Sequence, residues 1–269
     1  MAANRPVVLV TGGARRVGRE IVLGLAASGH DVAVHYRESA GDALATVADA
    51  RALGVRAEAF RADLADEAAC RALVPAVLER LQRLDAVVNN ASSFAYDSAH
   101  DFSFARLDAM MRANCAGAIV LAQALHAHLR SRGGSGCVVN LLDQKLWNPN
   151  PDHFSYTLSK AALESATTML AMALAPELRV CGVAPGLTLV SGPMDEGEFE
   201  RAHRMTPLRR SSTPQDVAQA VCFLLGATAI TGTTLLVDGG QHLSPQPRDV
   251  LFLVREGPAA GNEMQGRGR

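Results

Sequence analysis

Aromatic side chains are scarce in these 269 residues: one Trp, three Tyr and eight Phe. The apolar share of 48% is carried mainly by Leu, Val and Ala, as expected for parallel strands buried on both faces. Neither sign of charge is in excess, with 26 Lys plus Arg against 27 Asp plus Glu. That balance excludes a global field selecting for nucleic acid or an anionic membrane. The five cysteines (Cys70, Cys115, Cys137, Cys181 and Cys222) are odd in number and never form a C-x-x-C pair. They read as reduced core thiols of a cytoplasmic protein, not as a disulfide frame or a zinc site. No apolar run approaches the ~20 residues of a membrane span. No signal peptide is expected, because Pro6–Val10 runs straight into a glycine loop.

What the chain does have is alternation of short β-branched runs with longer helical stretches, the pattern of βαβ units. Strands are expected at Val7–Thr11, Asp31–Tyr36, Ala57–Phe60, Ala86–Asn89, Cys137–Leu142, Val180–Val183 and Thr234–Val237. Helices are expected between them, among them Gly18–Ser28, Arg106–Leu129, Tyr156–Leu174 and Thr213–Leu225. Seven strands with right-handed crossovers predict an α/β fold: a Rossmann-like, doubly wound parallel sheet in one domain over residues 1–256. Leu187–Ser212 is a long polar connection of the kind that forms lids over substrate. Residues 257–269 are small and polar and are expected to be a disordered tail.

After the first strand, Thr11-Gly12-Gly13-Ala14-Arg15-Arg16-Val17-Gly18 opens a helix. Glycines there let the backbone turn tightly beside a pyrophosphate, and the helix N-terminus offers N–H donors. The second strand ends in His35-Tyr36-Arg37-Glu38-Ser39. An NAD-selective site places a carboxylate near that strand end to grip the ribose 2′-hydroxyl. Tyr36 stands there instead, and Arg15, Arg16, His35, Arg37 and Ser39 favour a 2′-phosphate through charge-assisted bonds. The expected cofactor is therefore NADP(H). Asp63-Leu64 and Asn89-Asn90-Ala91-Ser92 follow the third strand and end the fourth, at carboxyl ends where ligands bind in such sheets.

Tyr156 and Lys160 lie one helical turn apart and share a face. A phenol with a reference pKa of about 10 is a poor acid or base at pH 7. A cation one turn away is expected to draw it toward phenolate. Asn114 sits mid-helix, an awkward place for a poor helix former. It is expected either to be a satisfied buried amide or to hold a water that relays protons to Lys160.

Together these residues resemble the short-chain dehydrogenase/reductase family. The likeness runs from about Val7 to Leu243 and includes the glycine loop, Asp63, Asn-Asn-Ala, Asn114, Tyr156/Lys160, Pro185-Gly186 and Val237-Asp-Gly-Gly240. Further details are similar to its pteridine reductase and dihydromonapterin reductase branch. Arg16 replaces the middle glycine of the family's Thr-Gly-x-x-x-Gly-x-Gly loop, and His35-Tyr36…Ser39, Asn89-Asn-Ala-Ser-Ser-Phe94 and Pro185-Gly-Leu-Thr-Leu189 match that branch. The resemblance implies cofactor contacts at Gly12, Val17, Gly18, Asn90, Ala91, Ser92, Pro185, Gly186 and Thr188, besides Tyr156 and Lys160. It also implies a substrate pocket of Ser92, Phe94, Asp143, Tyr156 and Leu189, with Phe94 stacked on a pterin ring, and a homotetramer joined through the long helices.

Asp143, thirteen residues before Tyr156, stands where most family members carry a serine that donates to the carbonyl being reduced. An ionised carboxylate would repel the oxyanion formed from a ketone. A pterin instead offers C=N bonds and ring nitrogens that need protons, so Asp143 fits that substrate as a proton donor if burial raises its pKa. Two departures stand out: Phe94 is followed by Ala-Tyr-Asp without prolines, and Gln144–Phe154 does not match the branch. The competing expectations are a carbonyl or 3-oxoacyl-thioester reductase and a non-catalytic NADP(H)-binding regulatory protein. The intact Tyr156/Lys160/Asn114 set speaks against the regulator.

Overall fold

The first strand, β1 (Val7–Val10), has all four side chains buried, and their alternation explains the two-sided architecture. Val8 and Val10 face one apolar cluster, whereas Val7 and Leu9 face another. The computed structural model describes residues 5–190 and 194–256. Among them, helices α1 (Arg16–Ala27), α2 (Ala40–Ala52) and α8 (Pro214–Gly226) cover the first face. Helices α3 (Glu67–Leu81) and α5 (Gly117–Arg132), with the end of α6 (Phe154–Ala173), cover the second. Short α4 (Phe104–Met111), α7 (Glu196–Arg204) and α9 (Val250–Glu256) lie outside these layers.

The remaining strands are β2 (Asp31–Tyr36), β3 (Ala57–Arg61), β4 (Ala86–Asn89), β5 (Gly136–Leu141), β6 (Leu178–Pro185) and β7 (Thr234–Val237). All pair in parallel in the order β3-β2-β1-β4-β5-β6-β7. The chain therefore winds outward in both directions from the β1/β4 pair, which opens a crevice at the carboxyl ends of those two strands. Thr11 closes the base of that crevice: its N–H donates to the Val88 carbonyl, and its Oγ1 accepts the Asn90 and Ala91 N–H groups at 3.0 Å each.

Three expectations need correction. The helix expected over Arg106–Leu129 is α4 and α5 joined by a π-helical turn at Arg112–Ala116. Asn114 lies in that turn, a distortion that frees its amide for partners outside the helix. The connection Leu187–Ser212 is not without structure. It contains α7, started by a capping box between Asp195 and Glu198, a pairing that satisfies two free N–H groups reciprocally. The 3₁₀ turn Gln144–Trp147 and helix α9 were not expected at all. The expected tail, residues 257–269, lies outside the described residues, as do residues 191–193 of the loop.

No helix of the described residues is long and apolar enough to cross a membrane. Leu125 is fully buried between α5 and the sheet. Leu125→Ala is expected to lower unfolding free energy by about 2–5 kcal/mol, read from urea unfolding. A loss near zero would show that this layer does not carry the core.

Candidate active site

The crevice opens into a cleft of about 530 Å³. Its walls include Gly12, Arg15, Arg16, Val17 and Gly18 from the first βα turn and His35, Tyr36, Arg37 and Ser39 from the end of β2. Asp63, Leu64, Asn90, Ala91, Ser92 and Phe94 complete them. The loop holds its shape for steric reasons. Gly12 has φ 61°, and a Cβ at Gly18 would sit 2.1 Å from the Gly12 carbonyl oxygen and 2.6 Å from Asn90 Nδ2. Asn90 Nδ2 donates to the carbonyls of Thr11 and Gly12 at 2.9 and 3.1 Å. Arg16 adopts φ 55°, a left-handed conformation that glycine tolerates more readily, and its guanidinium donates to the Val190 carbonyl at 3.0 Å. The glycine loop is thereby tied to the Leu187–Ser212 connection. No side chain caps the N-terminus of α1, and its first turn carries no acidic residue, so its N–H groups and the two arginines suit an anion.

His35 is not the cation expected for a 2′-phosphate. It is buried, its Nδ1 accepts the Gly12 N–H at 3.0 Å, and its Nε2 lies 3.1 Å from the Ala62 carbonyl. One nitrogen accepts and the other donates, which is the neutral tautomer. Burial lowers its pKa to about 4, despite the opposing Ala62 hydrogen bond and Asp63 charge. His35 pins the glycine loop, and the positive potential at the adenosine end falls to Arg15 and Arg37, the latter paired with exposed Glu38 at 3.3 Å.

At the other end of the cleft, Phe94 meets the edge of Tyr156 with ring centroids 4.8 Å apart. The Tyr156 hydroxyl donates to Asp143 Oδ2 at 2.9 Å, and the Lys145 N–H donates to Asp143 Oδ1 at 2.8 Å. Lys160 Nζ donates to the Leu141 carbonyl at 2.7 Å and lies 5.8 Å from the Tyr156 ring centroid. Burial raises the Asp143 pKa; the Lys145 N–H, the Tyr156 hydroxyl and the charges of Lys145 and Lys160 oppose it. Burial lowers Lys160 to about 8. The expectation that Lys160 draws Tyr156 toward phenolate is overturned: burial first, then the Asp143 carboxylate, hold the phenol well above its ordinary pKa. Tyr156 is a protonated donor here.

Asn114 is likewise corrected. Its Nδ2 donates to the Ser93 carbonyl at 3.0 Å and to Ser159 Oγ at 2.9 Å. Its Oδ1 accepts the Ser93 N–H at 2.7 Å and the Ser92 hydroxyl at 3.2 Å. Both side-chain donors and both lone pairs are used, so the Asn114 side chain fixes the Ser92–Ser93 backbone and has no valence left for a relay water. Pro185, Gly186, Thr188 and Leu189 leave β6 outside the lining of the cleft. Thr188 Oγ1 bonds the Gly186 carbonyl and Ser212 Oγ, at 2.8 and 2.7 Å.

Sequence reasoning missed three residues around this group. His153 is buried at φ 52° and stacks on Phe94 with centroids 4.2 Å apart, so one face of Phe94 is already covered. Asp97, fully buried, accepts the Ser155 N–H at 2.9 Å while its carbonyl accepts the Phe154 N–H at 3.1 Å, anchoring the start of α6. Lys145 is buried beside Asp143. The signals in the chain were its two departures from the branch: Ala95-Tyr96-Asp97 after Phe94, and Gln144–Phe154. Among the described residues no cluster of His, Cys, Asp or Glu is arranged to hold a metal.

A family model described as enoyl-(acyl carrier protein) reductase matches residues 12–242. A ketoacyl reductase of the Streptomyces violaceoruber granaticin polyketide synthase is 36% identical over 250 residues, covering 90% of this chain and 98% of its own length. Pteridine reductase 1 of Leishmania tarentolae is 33% identical over 282 residues, covering 89% and 97%. The crystal structure of FolM alternative dihydrofolate reductase 1 from Brucella canis, complexed with NADP, superposes with TM-score 0.84 at 38% identity, covering 91% and 96%.

Because His35 is neutral when folded but has a reference pKa near 6.5 when unfolded, the unfolded chain binds more protons between pH 6.5 and 4. Stability is therefore full above that window and is lost as pH falls through it. His35→Gln is expected to abolish about 2 kcal/mol of the stability difference between pH 7 and pH 5, read from urea unfolding at both pH values. An unchanged difference would mean that His35 is not held neutral.

Proposed function

The chain belongs to the short-chain dehydrogenase/reductase family, and from that premise we propose that it reduces the C=N bond of a dihydropterin to give a tetrahydropterin. The coarser activity is that of an NADP(H)-dependent short-chain reductase. The glycine loop, the uncapped N-terminus of α1 and Arg15 suit the pyrophosphate, while Tyr36, Arg37 and Ser39 suit the 2′-phosphate end. When bound, NADPH supplies a hydride.

One observation carries the pterin reading: a half-buried carboxyl, Asp143, bonded directly to the hydroxyl of Tyr156. In a serine-bearing site two hydroxyls would face the substrate. Here an acid replaces one of them, in surroundings that keep it protonated to higher pH than an ordinary carboxyl. Ketone reduction is disfavoured by a group that is already anionic beside the developing oxyanion. Reduction of C=N needs two electrons at carbon, arriving as hydride, and one proton at nitrogen. Asp143 supplies that proton to the ring nitrogen in the dihydro-to-tetrahydro step, directly or through water. Tyr156, held protonated, supplies the proton for the other reducible bond of the ring. Lys160 returns charge balance as each donor loses its proton.

Phe94, 52% exposed and backed by His153, presents its free side as a stacking surface for the flat ring. Ser92 and Leu189 complete the pocket as substrate contacts, and Pro185, Gly186 and Thr188 meet the cofactor's nicotinamide half once the Leu187–Ser212 connection closes over it. Dihydrofolate, which carries the same ring, belongs to the same substrate class. The relatives named as a pteridine reductase and a dihydrofolate reductase support this reading; the ketoacyl reductase supports a 3-oxoacyl thioester instead. Assembly follows the same reading: Met169 and Met172 of α6 are exposed apolar groups that a homotetramer joined through α5 and α6 would cover.

NADPH oxidation followed by absorbance with dihydropterin, dihydrofolate and an acetoacetyl thioester tests the assignment, with dihydropterin expected to give the highest kcat/KM. Thioester turnover with no dihydropterin turnover would reverse it. Asp143→Ser is expected to cost dihydropterin reduction about a hundredfold or more and thioester reduction far less; equal losses contradict the donor role. NADPH is expected to exceed NADH in kcat/KM by more than about tenfold, and parity would remove the 2′-phosphate site.

A further inference from the structure

Lys145 is a buried cation beside Asp143 that the proposed chemistry leaves unused. It lies in the 3₁₀ turn after β5, 4% exposed. A buried ammonium is retained only where charges and carbonyls compensate its lost hydration. Here its Nζ donates to the Asp152 carbonyl and lies 3.8 Å from Asp249 Oδ2, while its own N–H holds Asp143 Oδ1. Of the nearby carboxylates only Asp249 approaches Nζ directly, while the charges of Asp249, Asp143 and Asp152 together oppose the effect of burial on this cation. Asp152 is itself held by a bidentate Arg248 at 2.9 and 3.0 Å and by the Asp249 N–H at 2.7 Å. Asn148 adds a bond to the Ser244 carbonyl at 2.9 Å. The C-terminal segment is therefore fastened to the turn that carries Asp143. From α6, Tyr156 and Lys160 face the same carboxyl.

We propose that Lys145 is a positioning residue for Asp143, pinned from the C-terminal side by Asp152 and Asp249. In this arrangement residues 244–249 set the surroundings of the proton donor without touching substrate. The inference rests on the reading of Asp143 as a donor. The Lys145 charge favours the Asp143 carboxylate, and Asp249 keeps Lys145 charged against the effect of burial. Removing Lys145 must therefore let Asp143 keep its proton to higher pH, and removing Asp249 must act in the same direction, more weakly, by making Lys145 easier to deprotonate.

The test is an infrared pH titration of the protonated Asp143 carbonyl stretch in the full chain, the band being assigned by its loss in Asp143→Asn. In Lys145→Met the midpoint is expected to rise by on the order of one pH unit. In Asp249→Asn it is expected to rise by less, and in Lys145→Arg it stays near the parent value. The alkaline limb of kcat for dihydropterin follows the same order. An unmoved midpoint in a Lys145→Met protein that still binds NADPH overturns the proposal. So does a shift of opposite sign in the Lys145→Met and Asp249→Asn proteins. If Lys145→Met does not bind NADPH, the direction of the Asp249→Asn shift decides. Failure of the donor reading looks different: Asp143→Asn would then reduce dihydropterin at the parent rate, whatever the infrared midpoints do.

Discussion

The hydrogen bond between the Tyr156 hydroxyl and Asp143 Oδ2 joins two groups whose acidities are both changed by burial. Neither could be tuned this way in water, where a carboxyl and a phenol titrate about six units apart. Burial raises both, the carboxylate makes the phenol harder to ionise, and the phenol partly stabilises the carboxylate. The rest of the site serves to hold that pair in place. The Lys145 backbone N–H donates to the other oxygen of Asp143, Asp97 fixes the first turn of α6, and the Ser159 hydroxyl donates to the Tyr156 carbonyl at 2.6 Å. Lys160 Nζ lies 5.8 Å from the centre of the Tyr156 ring.

A similar economy governs the cofactor end. The sheet places the carboxyl ends of β1 and β4 side by side, and the crevice between them follows from the reversal of strand order. Two polar side chains then set the loop above it. Thr11 ties it to β4, and neutral His35 ties Gly12 to β3 through the Ala62 carbonyl. Arg16, at a backbone angle that suits glycine, reaches Val190 and connects this loop to the connection beyond β6. Substitutions in either segment should therefore affect cofactor and substrate affinity together.

Much of this was legible in the chain. Strand positions follow from short runs such as Val7–Val10, because a strand buried on both faces has no polar face to disguise it. Tyr156 and Lys160 can be paired from spacing alone, because helical geometry fixes where a residue four positions on must lie. Other features depend on partners distant in sequence. Asn114 reads as a misfit in a helix until Ser93 and Ser159 are seen to use its whole amide. His35 reads as a cation until Gly12 and Ala62 claim its two nitrogens. Lys145 looks like any surface lysine, since its burial depends on Asp249 more than a hundred residues later. The direction of the Tyr156 shift was misjudged for the same reason: one turn of helix reveals the lysine but not the burial or the carboxylate in contact.

The central claim is that this pair protonates a ring nitrogen while hydride reaches the adjoining carbon. The most direct measurement uses NADPH deuterated at the transferred position, with dihydropterin as substrate and the product examined by proton NMR and mass spectrometry. The account predicts a tetrahydropterin one mass unit heavier, with deuterium on a single ring carbon beside a newly protonated nitrogen. Cofactor consumption that leaves the pterin unlabelled would contradict it.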